Sequence, residues 1–321
     1  MAVISSPQIG VRPFHIGPGI DLHQLRSAMG RRVFDPAAPN PADGWGSVAD
    51  DAYAIGSPPK FVFPVGGPLL LKAKGALPRR LRVRYYWMQP RPRARLAPGV
   101  DPTDWRNRHR LQAADVMFYE APDGSISGLV TAREAGEFRA VTSAIGTVLS
   151  TVSKSFSLTV DNVPGAIDDD LFLWLVYRLQ GREQLSADLR LGGIGELSSK
   201  DRNLRPSRFS DTVTMQRVEL AALIALGEVK FGPAKLDLDV TNPDLGADLY
   251  VHPDGGFQPL RSSAYDGVRL QGAVQATRLI DDLWVTVLPR LRAAHHLDTA
   301  WHQTGRQTLR EEAKDQIRAL V

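Results

Sequence analysis

The sequence predicts an α+β fold, with an antiparallel, β-rich N-terminal half and an α+β C-terminal half that ends in helices. Three observations lead there. Leu81, Val83, Tyr85 and Trp87 alternate with Arg82, Arg84, Tyr86 and Met88, the period of a strand. The alternating runs are separated by turn sequences such as Pro122-Asp123-Gly124 and Pro253-Asp254-Gly255-Gly256, so strands come in hairpins rather than in regular strand–helix alternation. From residue 269 onward the apolar residues fall at helical spacing instead.

Taken in order, residues 1–60 read as irregular apart from one helix over 21–32. There Leu22, Leu25 and Met29 share a face and Asp21 can cap the N-terminus. Residues 35–59, rich in Pro, Gly, Ala and Asp, read as a long loop. Strands are expected at 61–65, 68–74 and 81–88, then an exposed proline-rich loop over 89–104, then strands at 113–119 and 126–131. A helix follows, with Thr131 and Glu134 as a capping box and Phe138, Val141, Ile145, Val148 and Val152 on its buried face. Phe156, Leu158 and Val160 alternate as a strand. Asp168, Asp169 and Asp170 favour a helix N-terminus leading into 171–179. Further expectations are a strand at 189–197, a buried helix at 214–226, strands at 228–231 and 236–240 joined by a tight turn at Gly232-Pro233, and a hairpin of 249–252 with 257–260. Helices at 269–292 and 304–320 close the chain. Three regions are expected: an irregular segment 1–60, a β-rich basic domain 61–153 and an α+β domain 154–321, with one continuous fold over 61–321 as the alternative.

The composition bounds the chemistry. Hydrophobic residues make up 43% of the 321, enough for a core, and charged residues 23%. The absence of cysteine excludes disulfides, thiolate zinc, iron–sulfur clusters and thiol catalysis. Residues 1–10 lack the features of a signal peptide and no run of eighteen apolar residues occurs, so the expectation is a cytoplasmic protein without a membrane span. Arginine outnumbers lysine 31 to 8, the mark of a GC-rich coding sequence and a bacterial origin.

Charge is lopsided. The net charge is only +4, yet residues 72–110 hold 12 Lys/Arg against 2 Asp/Glu, and everything outside that segment sums to −6. A surplus this concentrated points to a polyanionic partner. Within it, Arg82, Arg84 and Tyr86 are expected on the polar face of a strand. Arg91, Arg93 and Arg95 follow in the proline-rich loop, and Trp105, Arg106, Arg108 and Arg110 extend the run. Arginines neutralise phosphates and aromatics stack on bases. The competing reading pairs these arginines with the acidic remainder of the chain or with an acidic protein partner.

A second constellation is Glu228, Lys230, Asp237 and Asp239. If residues 228–231 and 236–240 form a hairpin, all four charges share one face, the parts of a magnesium-dependent nuclease site. Glu228-Val229-Lys230 resembles the Glu-x-Lys of the PD-(D/E)xK nucleases in local spelling. In that family the metal-binding Asp precedes this strand, whereas Asp237 and Asp239 follow it here. The polar run Ser198–Asn203, with Arg205 and Arg208, reads as an exposed loop and a second contact for a polyanion. The seven histidines form no His-x-x-x-His pair, so no metal and no cofactor are expected. Trp284 and Trp301, on the C-terminal helices, are candidates for a subunit interface.

The leading expectation is a non-enzymatic nucleic-acid-interacting protein of a bacterial intracellular system. The first alternative is an assembly or scaffold protein docking an acidic partner or itself, and the second is a metal-dependent nuclease.

Overall fold

The computed structural model describes residues 10–35, 38–46, 68–90, 99, 101, 104–132, 134–161, 163–200, 206–227, 229–266, 268–269 and 272–319. Its class is α+β, built on antiparallel strand pairs, with helices at the C-terminus. Two compact units emerge, residues 1–164 with 271–277, and residues 165–270 with 278–321.

In the first unit, β4 (Arg80–Pro90) and β5 (His109–Glu120) form a long hairpin in the register Arg84 to Asp115. β5 pairs with β6 (Ile126–Thr131) through the turn at Pro122-Asp123-Gly124, where Asp123 accepts from the Ser125 N–H and Gly124 takes φ +77°. β6 pairs with β1 (Val11–Ile16), a strand inside the segment expected to be irregular. Its cue, Val11, Phe14 and Ile16, is interrupted by Pro13. Phe14 lies so close over Gly128 of β6 that a Cβ there would fall 2.0 Å from its ring, so only glycine fits. β2 (Gly44–Gly46) and β3 (Leu69–Leu71) pair with β4, and β7 (Leu158–Thr159) with β1.

Two helices cover one face of this sheet. α1 (Leu22–Gly30) starts at Asp21, whose carboxylate accepts from the His23 and Gln24 N–H groups while the Gln24 side chain accepts from the Asp21 N–H. α3 (Ala135–Val152) buries Phe138, Val141, Ile145, Val148 and Leu149 against Leu81, Val83, Val116, Phe118 and Val130. The capping box expected of Thr131 is absent. Thr131 stays in β6 with its hydroxyl bonded to the Asp115 backbone, and Glu134 flanks the helix without a side-chain cap. A short helix α2 (Trp105–Arg108) precedes β5. The strand expected at 61–65 lies outside the described residues.

In the second unit the strands run β10 (Pro206–Ser210), β9 (Leu189–Lys200), β11 (Lys230–Val240), β12 (Leu245–Val251), β13 (Phe257–Pro259), all antiparallel. β8 (Gln184–Ser186) adds to β9, β14 (Ala264–Tyr265) to β12, and β15 (Val268–Arg269) to β14. The hairpin expected at Gly232-Pro233 does not form. β11 is one continuous strand, and its register against β9 slips between Phe231 and Ala234. A bulge tolerates a proline, which has no N–H to give the ladder. Likewise the polar run expected as a loop is in part strand: Ser198–Lys200 end β9, Ser207 and Arg208 pair with it from β10, and residues 201–205 lie outside the described residues.

Five α-helices and two π segments of the described residues belong to this end of the chain. α4 (Asp169–Arg178) is capped by Asp168, which accepts from the Leu171 N–H. α5 (Val218–Leu226) ends on Gly227 in the left-handed conformation, φ +71°. α6 (Gly272–Asp282) runs through a π segment, Leu283–Val287, into α7 (Leu288–Leu297). A second π segment, Trp301–Gly305, leads into α8 (Arg306–Arg318). α5 was expected to be buried, but only Leu220, Ala221 and Ile224 are; Val218 and Leu226 face solvent. No described helix is long and apolar enough to cross a membrane.

Candidate functional site

The basic segment splits into two classes of arginine. In β4 the expected solvent face is covered. Arg84 is fully buried and grips Asp115, its cross-strand neighbour, through two bonds of 2.7 Å. Tyr86 is buried too, stacked on Phe34 with centroids 5.1 Å apart. Neither faces solvent as the alternation implied, because alternation separates two faces without saying that either is open. Arg79 pairs with Glu120 at 2.5 Å at the edge of the hairpin, and Arg82 is half-buried. Glu120 and Asp115 thus neutralise part of the surplus from within. Lys72 and Lys74, just after β3, and Arg108 at the end of α2 are exposed. Trp105 and Arg106 lie in α2 and Arg110 in β5, while Arg91, Arg93 and Arg95 lie outside the described residues. β4 ends at Pro90, opposite His109, and Arg91 follows it in sequence.

Three residues before that end the same strand builds a pocket. Tyr85 and Trp87, two apart and therefore on one face, stack with centroids 5.8 Å apart and planes at 18°. Trp45 of β2, paired opposite Tyr85, adds a third ring at 4.8 Å. The far wall is α3, whose Ala140, Ser143, Ala144 and Thr147 fall at i, i+3, i+4 and i+7 and form a stripe of small side chains. The exposed Arg32 and Asp43 complete a cavity of ≈ 430 Å³. Asp43 is held by the Met88 N–H at 3.1 Å and by the Tyr85 hydroxyl. Burial, then the charge of Asp43, push that hydroxyl up to about 12 against the opposing effect of Arg32. This pocket was missed in the sequence because Tyr85 and Trp87 read as core. The signal that would have found it is the small-residue stripe on α3, facing away from the helix's large apolar residues.

The carboxylate–lysine constellation is dispersed. Glu228 lies outside the described residues. With β11 continuous, Lys230 and Asp237 stand seven residues apart along one strand, roughly 20 Å. Lys230 instead faces Asp169 at 3.7 Å, and Asp237 sits opposite Asp248 on β12. The hairpin that would have gathered Lys230, Asp237 and Asp239 on one short face does not form, because β11 is continuous.

The interface candidates Trp284 and Trp301 pack inside the second unit. Both are buried, Trp284 stacked on Phe257 and Trp301 packed on Tyr177 with its indole N–H donating to Asp170. Asp170 is a hub: one oxygen accepts from His295 at 2.9 Å, Trp301 at 2.9 Å and Arg306 at 2.5 Å. Burial pushes its carboxyl up, but these donors outweigh burial and hold it well below the carboxylate range. Asp298, three residues before Trp301, does the same, accepting from Trp174, Arg178 and the Trp301 backbone. Asp168, Asp170 and His295 form the one group of acidic and histidine side chains among the described residues close enough to share an ion. The Arg306 guanidinium holds Asp170 Oδ2 within that group.

The fold and pockets define an α+β protein with an aromatic cavity set on a basic segment. No protein-family model matches the chain, and no curated protein matches its sequence.

Proposed function

We propose that the chain binds single-stranded nucleic acid through the 72–110 segment, with the Trp45–Tyr85–Trp87 pocket receiving a base. The observation that carries this reading is the pocket's position on β4, where Trp87 stands three residues before Pro90, after which the arginine-rich segment follows in sequence. Stacked rings offer a flat π surface to any base, worth about 1–3 kcal/mol per base stacked. Asp43 accepts from an exocyclic amine, Arg32 meets the phosphate, and the loop arginines Arg91, Arg93 and Arg95 follow the backbone. The binding is non-catalytic in this reading. Compared with the reading from sequence alone, the contact moves from Arg84 and Tyr86 to the opposite face of the same strand.

The test is fluorescence anisotropy with single-stranded DNA, RNA and duplex probes over a salt series. Wild-type affinity should favour single strands and fall linearly with log salt. Trp87→Ala should cost about tenfold with an unchanged salt slope, since stacking releases no counterions. Charge reversal of Arg91, Arg93 and Arg95 should reduce the slope itself. Undiminished affinity in both variants overturns the proposal.

One observation favours the alternative of an assembly protein with an acidic partner. Arg79 and Arg84 both choose carboxylates inside the chain, Glu120 and Asp115. An acidic partner would extend that pairing. Salt-tolerant co-elution with protein, without nucleic-acid binding, would select this reading.

A further inference from the structure

A second cavity lies wholly within the second unit and is unrelated to the basic segment. It opens between the start of α4, the end of α5, the first residues of β11 and the first turn of α8. Its volume is ≈ 220 Å³. Leu173, Leu223, Ile224, Val229 and Phe231 line it with apolar surface, and Arg306 and Arg310 stand over it from one face of α8.

The charges here are not equivalent. Asp170 is saturated by three donors, one of them Arg306, so those two groups offer each other most of what they have. Asp169 pairs loosely with Lys230, at 3.7 Å. Arg310 is different. It is half-buried, yet it makes no hydrogen bond or ion pair with any described residue. A guanidinium carries five donors, and those of Arg310 are left to water at the mouth of an apolar cleft, so an anion reaching them displaces solvent rather than a protein partner. Nor is its place accidental to the local backbone. It lies against Gly227, the left-handed cap of α5, where an added Cβ would sit 3.3 Å from Arg310 Nη2. Glycine serves both the positive φ and the close approach of the guanidinium.

We infer that this cleft is a binding site for a small organic monocarboxylate with an apolar tail. The tail lies on Leu223, Ile224 and Phe231, and the carboxylate takes a two-pronged bond from Arg310 with Arg306 beside it. The fork of a guanidinium matches the two oxygens of a carboxylate, and both partners gain from the low-dielectric wall. The saturated state of Asp170 matters to this assignment. Its charge is already cancelled by the donors around it, and the other lining carboxylate, Asp169, faces Lys230 at 3.7 Å, so Arg310 is the lining charge with no partner among the described residues.

The experiment is isothermal titration of the full-length chain with hexanoate, hexanamide and acetate. Hexanoate should bind saturably with one site, and hexanamide and acetate each at least about tenfold more weakly, because one lacks the charge and the other the tail. Arg310→Met should abolish hexanoate binding while leaving the melting temperature without ligand within about 2 °C. Leu223→Trp, which fills the floor and keeps Arg310, should abolish it as well. Should Arg310→Met unfold the chain, Arg310→Lys serves: it keeps the charge but not the fork, and a loss of about tenfold is expected. Equal binding of hexanoate and hexanamide, no saturable binding of hexanoate, or undiminished binding in Arg310→Lys and Leu223→Trp would overturn the assignment.

Discussion

β4 and β11 look alike as sequences and differ as structures. Each alternates charged and apolar residues: Arg82, Arg84 and Tyr86 between Leu81, Val83 and Tyr85 in one, Lys235, Asp237 and Asp239 between Leu236, Leu238 and Val240 in the other. In β11 the pattern means what it appears to mean. Leu236, Leu238 and Val240 are buried, and Asp237 and Asp239 are exposed. In β4 both faces are withdrawn from water, and Arg84 survives burial only because Asp115 sits directly across the hairpin. Alternation reports the period of the backbone. Whether the polar face is open depends on what packs over it, and that is a tertiary fact.

The largest expected effect tests whether Arg84 and Asp115 are one unit. Asp115→Asn leaves a fully buried guanidinium without its counter-charge, and breaking a buried pair on one side costs about 3–5 kcal/mol. The double change Arg84→Met with Asp115→Leu should recover most of that loss, since well-packed apolar residues commonly match a buried ion pair. Urea denaturation of the three variants measures both numbers. A loss under about 1 kcal/mol in Asp115→Asn would mean that this face is as open to water as that of β11, and the comparison would collapse.

Next in size is the Asp170 hub. Asp170→Asn should cost about 2–3 kcal/mol, since it weakens charge-assisted bonds from His295 and Arg306 together. The pH dependence has a definite sign. The folded carboxyl is held below its unfolded value near 3.9, so its contribution is complete above that value and is lost as pH falls through the folded one. Thermal melts of wild type and Asp170→Asn at pH 7 and pH 3 should therefore lie further apart at pH 7 than at pH 3.

Much of the fold was legible because local chemistry and tertiary structure agreed. Asp21 caps α1, Pro122-Asp123-Gly124 turns between β5 and β6, and Asp168 caps α4. What was lost had one of two physical causes. Gly232-Pro233 carries strong turn chemistry, yet the pairing of β11 with β9 and β12 on both sides outweighs it and absorbs the pair as a bulge. Thr131 and Glu134 spell a capping box, but Thr131 is worth more in β6, bonded to Asp115. The aromatic pocket failed for a different reason. Tyr85 and Trp87 are core residues by type, and a cavity arises only where the facing helix presents Ala140, Ser143, Ala144 and Thr147. The Asp170 hub joins residues 125 and more positions apart, which no local pattern encodes.

Arg79–Glu120 gives an intermediate case on the same hairpin as Arg84–Asp115. Both side chains are about one-third exposed, so Glu120→Gln should cost no more than about 1 kcal/mol, and the loss should shrink in 0.5 M salt. A loss equal to that of Asp115→Asn would show that burial is not what separates the two pairs.

The smallest effect, and the one of opposite sign, is expected at Asp237. Partial desolvation first, then Asp248 opposite it and Asp239 on the same strand, push its carboxyl above the ordinary value. A raised carboxyl makes the ionised form a burden on the folded state, absent at low pH and imposed as pH rises from the unfolded value through the folded one. Like charges directly across a sheet destabilise by a few tenths of a kcal/mol. Asp237→Asn should therefore stabilise the protein by about that much at pH 7 and leave it unchanged at pH 3. A stabilisation independent of pH would assign the gain to packing rather than charge. A loss at pH 7 would mean that Asp237 holds a cation, and the open face of β11 would then be a ligand surface instead of a solvated one.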